Sequence, residues 1–157
     1  MANLDTGDRE VVIERLVDAP RSLVFEAFTN PDHVVHWWGP NGFTNTIDQM
    51  DVRVGGSWTF TMHGPDGTDY LNRIDYLEVV RPERLVYRHG DPSGDPAHDF
   101  ISTITFGDAG GKTALRMQVL LATPEILEEM KKMGAVEGGQ QTIDRLEAYL
   151  PTMENAR

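Results

Sequence analysis

The sequence predicts an α+β fold: a curved antiparallel β-sheet of about six to seven strands wrapped around a long C-terminal helix, with two short helices after the first strand. Three observations carry the prediction. Six strand-like segments follow one another without an intervening helix from about Phe43 to Leu121. A single amphipathic helix, Gln140 to Leu150, closes the chain. The strands whose faces can be told apart offer one apolar and one wet face, as an antiparallel sheet packed on one side does. Such a sheet covers its apolar face by curling, and the last helix is the long element left for it to grip. A wrap of this kind leaves an apolar cavity.

The elements follow in order. Met1 to Asp8 is a polar leader. Glu10 to Val17 reads as the first strand and ends at Asp18-Ala19-Pro20. Pro20 suits the first turn of a helix, where its missing N–H costs nothing. Leu23, Val24, Ala27 and Phe28 then recur at helical spacing until Asn30-Pro31. Asp32 to Trp38 reads as a further helical turn or two, ended by Gly39-Pro40. Neighbours on a helix diverge by about 100°, so Trp37 and Trp38 are expected to part, one into the core and the other to a cavity entrance or partner surface.

From Phe43 the period changes to two. Phe43 to Ile47 is rich in β-branched residues. Ser57 to Met62 sets Trp58, Phe60 and Met62 on one face, opposite Thr59 and Thr61. Gly64-Pro65-Asp66-Gly67 carries turn chemistry into Tyr70 to Val80, and Arg81-Pro82-Glu83 turns back into Leu85 to His89. Gly90 to Ala97 reads as a long loop. With Asp91, Asp95, His98 and Asp99 it forms an acidic stretch that lacks the spacing of a calcium loop and is a candidate lid. Phe100 to Phe106 pairs with Thr113 to Leu121 across Asp108 to Gly111, with Phe100, Ile104, Phe106, Leu115, Met117, Val119 and Leu121 inward. Thr123-Pro124 is a helix cap with proline at the first position. Ile126, Met130 and Met133 form its stripe, and Gly134 stops it. In the last helix Ile143, Leu146, Tyr149 and Leu150 share a face. Gly138-Gly139 is expected to weaken its start, and Pro151 to end it.

Composition narrows function by exclusion. The chain has 157 residues, enough for one domain, 1–157, with a core from about 10 to 150. Its net charge of −11 argues against nucleic acid and against anionic membrane surfaces, both of which are reached through basic patches. With no cysteine, disulfides, thiolate catalysis and cysteine zinc sites are excluded. No apolar run suits a signal peptide or a membrane span, so a cytoplasmic location is expected.

No segment supplies a nucleophile, a metal cage or a phosphate loop. Gly107 to Thr113 leaves three residues before Gly111-Lys112 where a phosphate loop needs four, and it joins two strands. His33, His36 and Asp32 lack a further ligand, and Ser22, Ser57, Ser93 and Ser102 lack the nucleophile-elbow frame. No metal and no cofactor are expected. What remains is the inward set of Trp58, Phe60, Phe100, Phe106, Met62, Met117 and Leu146, which reads equally as core or as cavity lining. Beside it, Tyr70, Asn72 and Tyr76 lie on one side of their strand, with Arg73 and Asp75 on the other. His89 shares a face with Leu85 and Tyr87.

Several phrases carry a family resemblance: Asp18-Ala19-Pro20, Val24 to Thr29, Trp37-Trp38-Gly39-Pro40, Arg53 to Trp58, Met62 to Gly67, Tyr76 to Val79, Pro82 to Val86 and Thr142 to Leu146. In this order they resemble the START-like (SRPBCC, helix-grip) superfamily, and within it the branch similar to the activator of the heat-shock chaperone ATPase. The resemblance covers roughly Glu10 to Leu150 and implies a cavity between sheet and last helix. Many relatives carry a tryptophan where this chain has Gln140-Gln141, which puts a polar group or extra room at one end. The expected function is non-covalent binding of a small hydrophobic or aromatic molecule. Trp38, Trp58, Phe60, Met62, Tyr87, Phe100, Ile104, Met117, Ile143 and Leu146 would supply apolar wall. Tyr70, Asn72, Tyr76, His89 and Gln140 would supply polarity. Two alternatives stand beside it. One is a protein-interaction module with a chaperone or other protein partner. The other is a polyketide-cyclase-like enzyme using His89 or Arg73 as general acid–base. A homodimer stays open.

Overall fold

A computed structural model of the chain describes residues 8–90 and 99–155. The elements run β1 (Glu10–Val17), α1 (Arg21–Thr29), α2 (Pro31–Val34), β2 (Thr44–Met50), β3 (Ser57–His63), β4 (Asp69–Val80), β5 (Arg84–Gly90), β6 (Phe100–Asp108), β7 (Thr113–Leu120), α3 (Pro124–Lys132) and α4 (Ala135–Asn155). All seven strands form one antiparallel sheet in the order β1-β7-β6-β5-β4-β3-β2. This is the helix-grip arrangement: a meander from β2 to β7 whose last strand returns to pair with β1, from Glu10↔Leu120 to Val17↔Thr113.

The curl has local causes. The register shifts between Ile47 and Gln49 in the β2–β3 pair and between Tyr76 and Glu78 in the β4–β5 pair. Each irregularity bends its strand and adds twist. The inward face carries Trp58, Phe60, Ile74, Leu85, Ile104, Phe106 and Leu115, each at most 2% exposed. Helices α1 and α4 cover it with Leu23, Phe28, Ile143, Leu146 and Leu150. No helix among the described residues is long and apolar enough to cross a membrane.

The closing helix differs from the sequence reading. It spans Ala135–Asn155, not Gln140 to Leu150, and Pro151 lies inside it. Proline removes one N–H and so one hydrogen bond. Leu150 and Met153, 2% and 4% exposed, hold the chain helical on either side of it. The glycines at its start do not break the helix either. A Cβ on Gly139 would lie 2.8 Å from Cδ1 of Ile13, so the glycine lets α4 approach β1 closely. Gly134, at φ +83°, makes the turn that separates α3 from α4.

Three smaller features of the fold differ from the sequence reading. Pro20 is the N-cap of α1 rather than its first residue. Leu127 is the buried residue of α3, whereas Met133 is 84% exposed. Trp37 and Trp38 do not part between core and surface: they are 0% and 8% exposed, with ring centroids 5.7 Å apart. The reason is that α2 ends at Val34, at a corner between the helix layer and the sheet. Trp37 turns to Phe28 at 4.8 Å and donates through Nε1 to the Ala27 carbonyl, while Trp38 turns to Trp58 at 4.9 Å. The rings do diverge, but into two halves of one core. Of the stretch expected as a lid, Gly90 ends β5, and residues 91–98 lie outside the described residues.

Candidate functional site: an apolar cavity under the start of the last helix

Between β1, β6 and β7 on one side and α3 and the start of α4 on the other lies a cavity of about 160 Å³. Alternation on β1 sends Val11 and Ile13 inward, and the same period on β7 sends Met117 and Val119 to meet them. Phe100, Leu121, Leu127, Met130 and Val136 complete the apolar wall, and Gly139 leaves room in the roof. Among the described lining residues Lys131 is the single charged side chain. It is half-exposed and pairs with Glu128 at 3.7 Å, so it stands at the rim.

Two of the residues expected from the sequence, Phe100 and Met117, lie in this wall. Trp38, Trp58, Phe60, Ile104, Ile143 and Leu146 belong to the packed core next to it. There Trp58 stacks on Phe60 at 4.2 Å and Met62 packs against the cluster. Tyr76 and Tyr87 are buried side by side, with ring centroids 6.1 Å apart. Burial holds both phenols well above the ordinary tyrosine pKa, and a hydrogen bond to Ser102 partly offsets this for Tyr87. Tyr70 is 41% exposed and leans on Phe43. Gln140 is exposed and accepts from Arg15, and Gln141 accepts from the Asn41 N–H. Tyr70 and Gln140 therefore stand away from the cavity wall.

The two acid–base candidates sit on opposite faces of the sheet. Arg73 faces outward and pairs with Asp75 at 3.0 Å. His89 faces inward among Phe60, Tyr87 and Phe100, with Phe100 nearest at 4.7 Å. Crowding by these rings desolvates the imidazole and pushes its pKa down to about 4. It is neutral at physiological pH. Its Nε2 lies 2.8 Å from Asn72 Oδ1.

A clamp not anticipated from the sequence lies farther along α4, outside the cavity wall. Arg145 of α4 donates to the carbonyls of Gly39, Pro40 and Phe43 at 2.8–3.0 Å, and more weakly to those of His36 and Trp38. Main-chain oxygens thus take the place of a carboxylate partner, and burial lowers the guanidinium pKa. The clamp ties α4 to the loop after α2. Nearby, His33 Nδ1 bonds Tyr149 Oη at 2.7 Å and His36 stacks on the same ring. Among the described residues no three His, Asp or Glu side chains converge as metal ligands would. The phosphate-loop look-alike is the β6–β7 hairpin turn.

The comparisons with known proteins agree with this architecture. Residues 18–151 match the family described as Activator of Hsp90 ATPase homolog 1-like protein, and the chain belongs to that family. No curated protein matches its sequence. Among solved structures, a protein from Arthrobacter aurescens superposes with a TM-score of 0.87 at 24% identity, covering 96% of this chain and 90% of its own. A protein from Nitrosomonas europaea gives 0.83 at 24% identity, covering 96% and 98%. One from Mycobacterium smegmatis gives 0.81 at 24% identity, covering 93% of each chain. At these identities the likeness is one of fold.

Proposed function

We propose that this member of the Activator of Hsp90 ATPase homolog 1-like family binds a small hydrophobic or aromatic molecule non-covalently in the cavity beneath α3 and the start of α4. The observation that carries the reading is the cavity itself, about 160 Å³ with an almost wholly apolar wall. An apolar cavity of about 150 Å³ stays dry and takes up benzene, so a single aromatic ring is the right size. Met117 and Met130 make the wall adaptable. Burying one ring removes roughly 150–200 Å² of apolar surface, worth about 4–5 kcal/mol before association costs. After those costs, toluene should bind no tighter than the millimolar range.

The cavity favours this reading over an interaction module, which calls for a filled interior. His89 supports binding more than acid–base catalysis. A base with a pKa of about 4 is some three units below the pH at which proton transfer is best matched.

Titration of the protein with toluene, followed by ligand-observed NMR and melting temperature, tests the proposal. Saturable binding with a rise in Tm is expected. No binding up to the solubility limit would overturn it.

A further inference from the structure

At the end of the sheet farthest from the cavity, three polar side chains line up on the outward face. Thr46 comes from β2, His63 from β3 and Asp69 from β4. The period of two sends Trp58, Phe60 and Met62 inward, so His63 stands outward, opposite Asp69 in the register. His63 Nδ1 lies 2.7 Å from Asp69 Oδ1, and Nε2 lies 2.7 Å from Thr46 Oγ1. A carboxylate only accepts, so in the neutral imidazole Nδ1 carries the proton and Nε2 keeps its lone pair. The Thr46 hydroxyl then donates to Nε2. Hydroxyl, base and orienting carboxylate thus stand in the order that activates a nucleophile. Ser57, farther along the same face, lacks this order: it donates directly to Asp75, beside Arg73, with no base between.

The three groups are open to reagents. Thr46 is exposed, and the side chains of His63 and Asp69 are 36% and 61% exposed. β2 is also an edge strand. The Gly64 N–H bonds the Thr68 carbonyl and the Asp51 N–H bonds the Ser57 carbonyl. By alternation the main chain of Thr46 turns to β3, and the N–H groups of Asn45 and Ile47 on either side of it turn to the open edge, where they can donate to a developing oxyanion. Leu71, 60% exposed, is on the same face, with Thr61 paired to it on one side and to Thr46 on the other. It offers apolar surface two strand spacings, about 10 Å, from Thr46.

We infer that Thr46 is the nucleophile of an acyl-transfer site that takes an activated carboxylic ester. Thr46 Oγ1 attacks the carbonyl carbon and its proton passes to His63 Nε2, while Asp69 holds the imidazolium. The bond from carbon to the leaving oxygen breaks, and the proton on Nε2 goes to that oxygen. The acyl group remains as an ester of Thr46. Water, deprotonated by the same imidazole, then releases the carboxylic acid and restores the hydroxyl.

The probe is p-nitrophenyl acetate. The protein should release p-nitrophenolate, and peptide mass spectrometry after an acid quench should find an acetyl group on Thr46. Thr46→Val and His63→Gln should each slow release about 100-fold, and Thr46→Ser should retain it. Asp69 touches no substrate and acts as a positioning residue. In Asp69→Asn release should slow, and 15N NMR should show the neutral ring with its proton moved to Nε2. Direct attack by an imidazole, the competing route, survives in Thr46→Val. Release that persists in Thr46→Val or is unchanged in His63→Gln, no acetyl group on Thr46, or a proton on Nε2 in the unaltered protein would each overturn the inference. Toluene binding should be the same in all four variants, so the cavity reading stands or falls separately.

Discussion

The two halves of α4 cover the same sheet and yet enclose different interiors. From Ile143 onward the helix lays Ile143, Leu146, Leu150 and Met153 over a core rich in aromatic rings: Phe25 and Phe28 each meet Phe106 edge to face at 5.1–5.2 Å, and Trp58 stacks on Phe60. Its first half, with α3, roofs the 160 Å³ cavity with Val136 and Gly139. The lining there is aliphatic or methionine apart from Phe100 and the rim lysine. The contrast teaches that packing density along one helix follows the side chains facing it: flat rings tile a concave sheet, whereas branched aliphatics facing a glycine leave a void.

Four substitutions or conditions would break or sharpen that contrast. The largest effect is expected in the filled half. Trp37→Ala removes a fully buried ring and the donor to the Ala27 carbonyl. It should cost about 3–5 kcal/mol of unfolding free energy in denaturant titration. A loss under about 1 kcal/mol would mean that this half is no better packed than the other.

Arg145→Met comes next, because it strips charged donors from main-chain carbonyls that α4 otherwise satisfies. A loss of about 2–3 kcal/mol is expected. Arg145→Lys should restore part of it, since an ammonium lacks the planar fork that reaches several carbonyls at once.

The third effect depends on pH. Folding lowers the pKa of His89 from 6.5 to about 4. Between those values the unfolded chain binds more protons than the folded one, so stability falls as pH falls through that window and is indifferent to His89 above it. The acid-side slope of Tm against pH should be shallower in His89→Phe. Identical slopes would show that the imidazole is not desolvated.

The smallest change in stability is expected in the open half. Val119→Phe adds volume that would cost about 1–3 kcal/mol in a filled core, but here it enters space already present. Stability should change by less than about 1 kcal/mol while toluene binding is lost. A large destabilisation would show that the void is closed in solution.

Most of the fold was legible before any coordinates. Alternation in Ser57 to Met62 and Phe100 to Phe106 reported inward faces correctly, because a period of two ties each side chain to one face. The cap at Thr123, which accepts from the Ile126 N–H, was equally local. The limits of α4 were not legible. Pro151 and the Gly138-Gly139 pair disfavour helix locally, and burial of Met153 and contact with Ile13 override them. The cavity wall was half legible. Met117 and Phe100 stood on known inward faces, but Val11 and Ile13 joined them only because β1 pairs with β7, more than a hundred residues away.

By itself, then, the sequence determined the kind of container: the succession of strands, their inward faces, the Thr123 cap and the presence of a gripping helix, all read from patterns within a few residues. Tertiary structure alone decided where the container is empty, which asparagine orients His89, and that Arg145 binds carbonyls rather than a carboxylate. Those depend on which distant surfaces meet and on how well their shapes fill the space between them, and neither quantity is written in local periodicity.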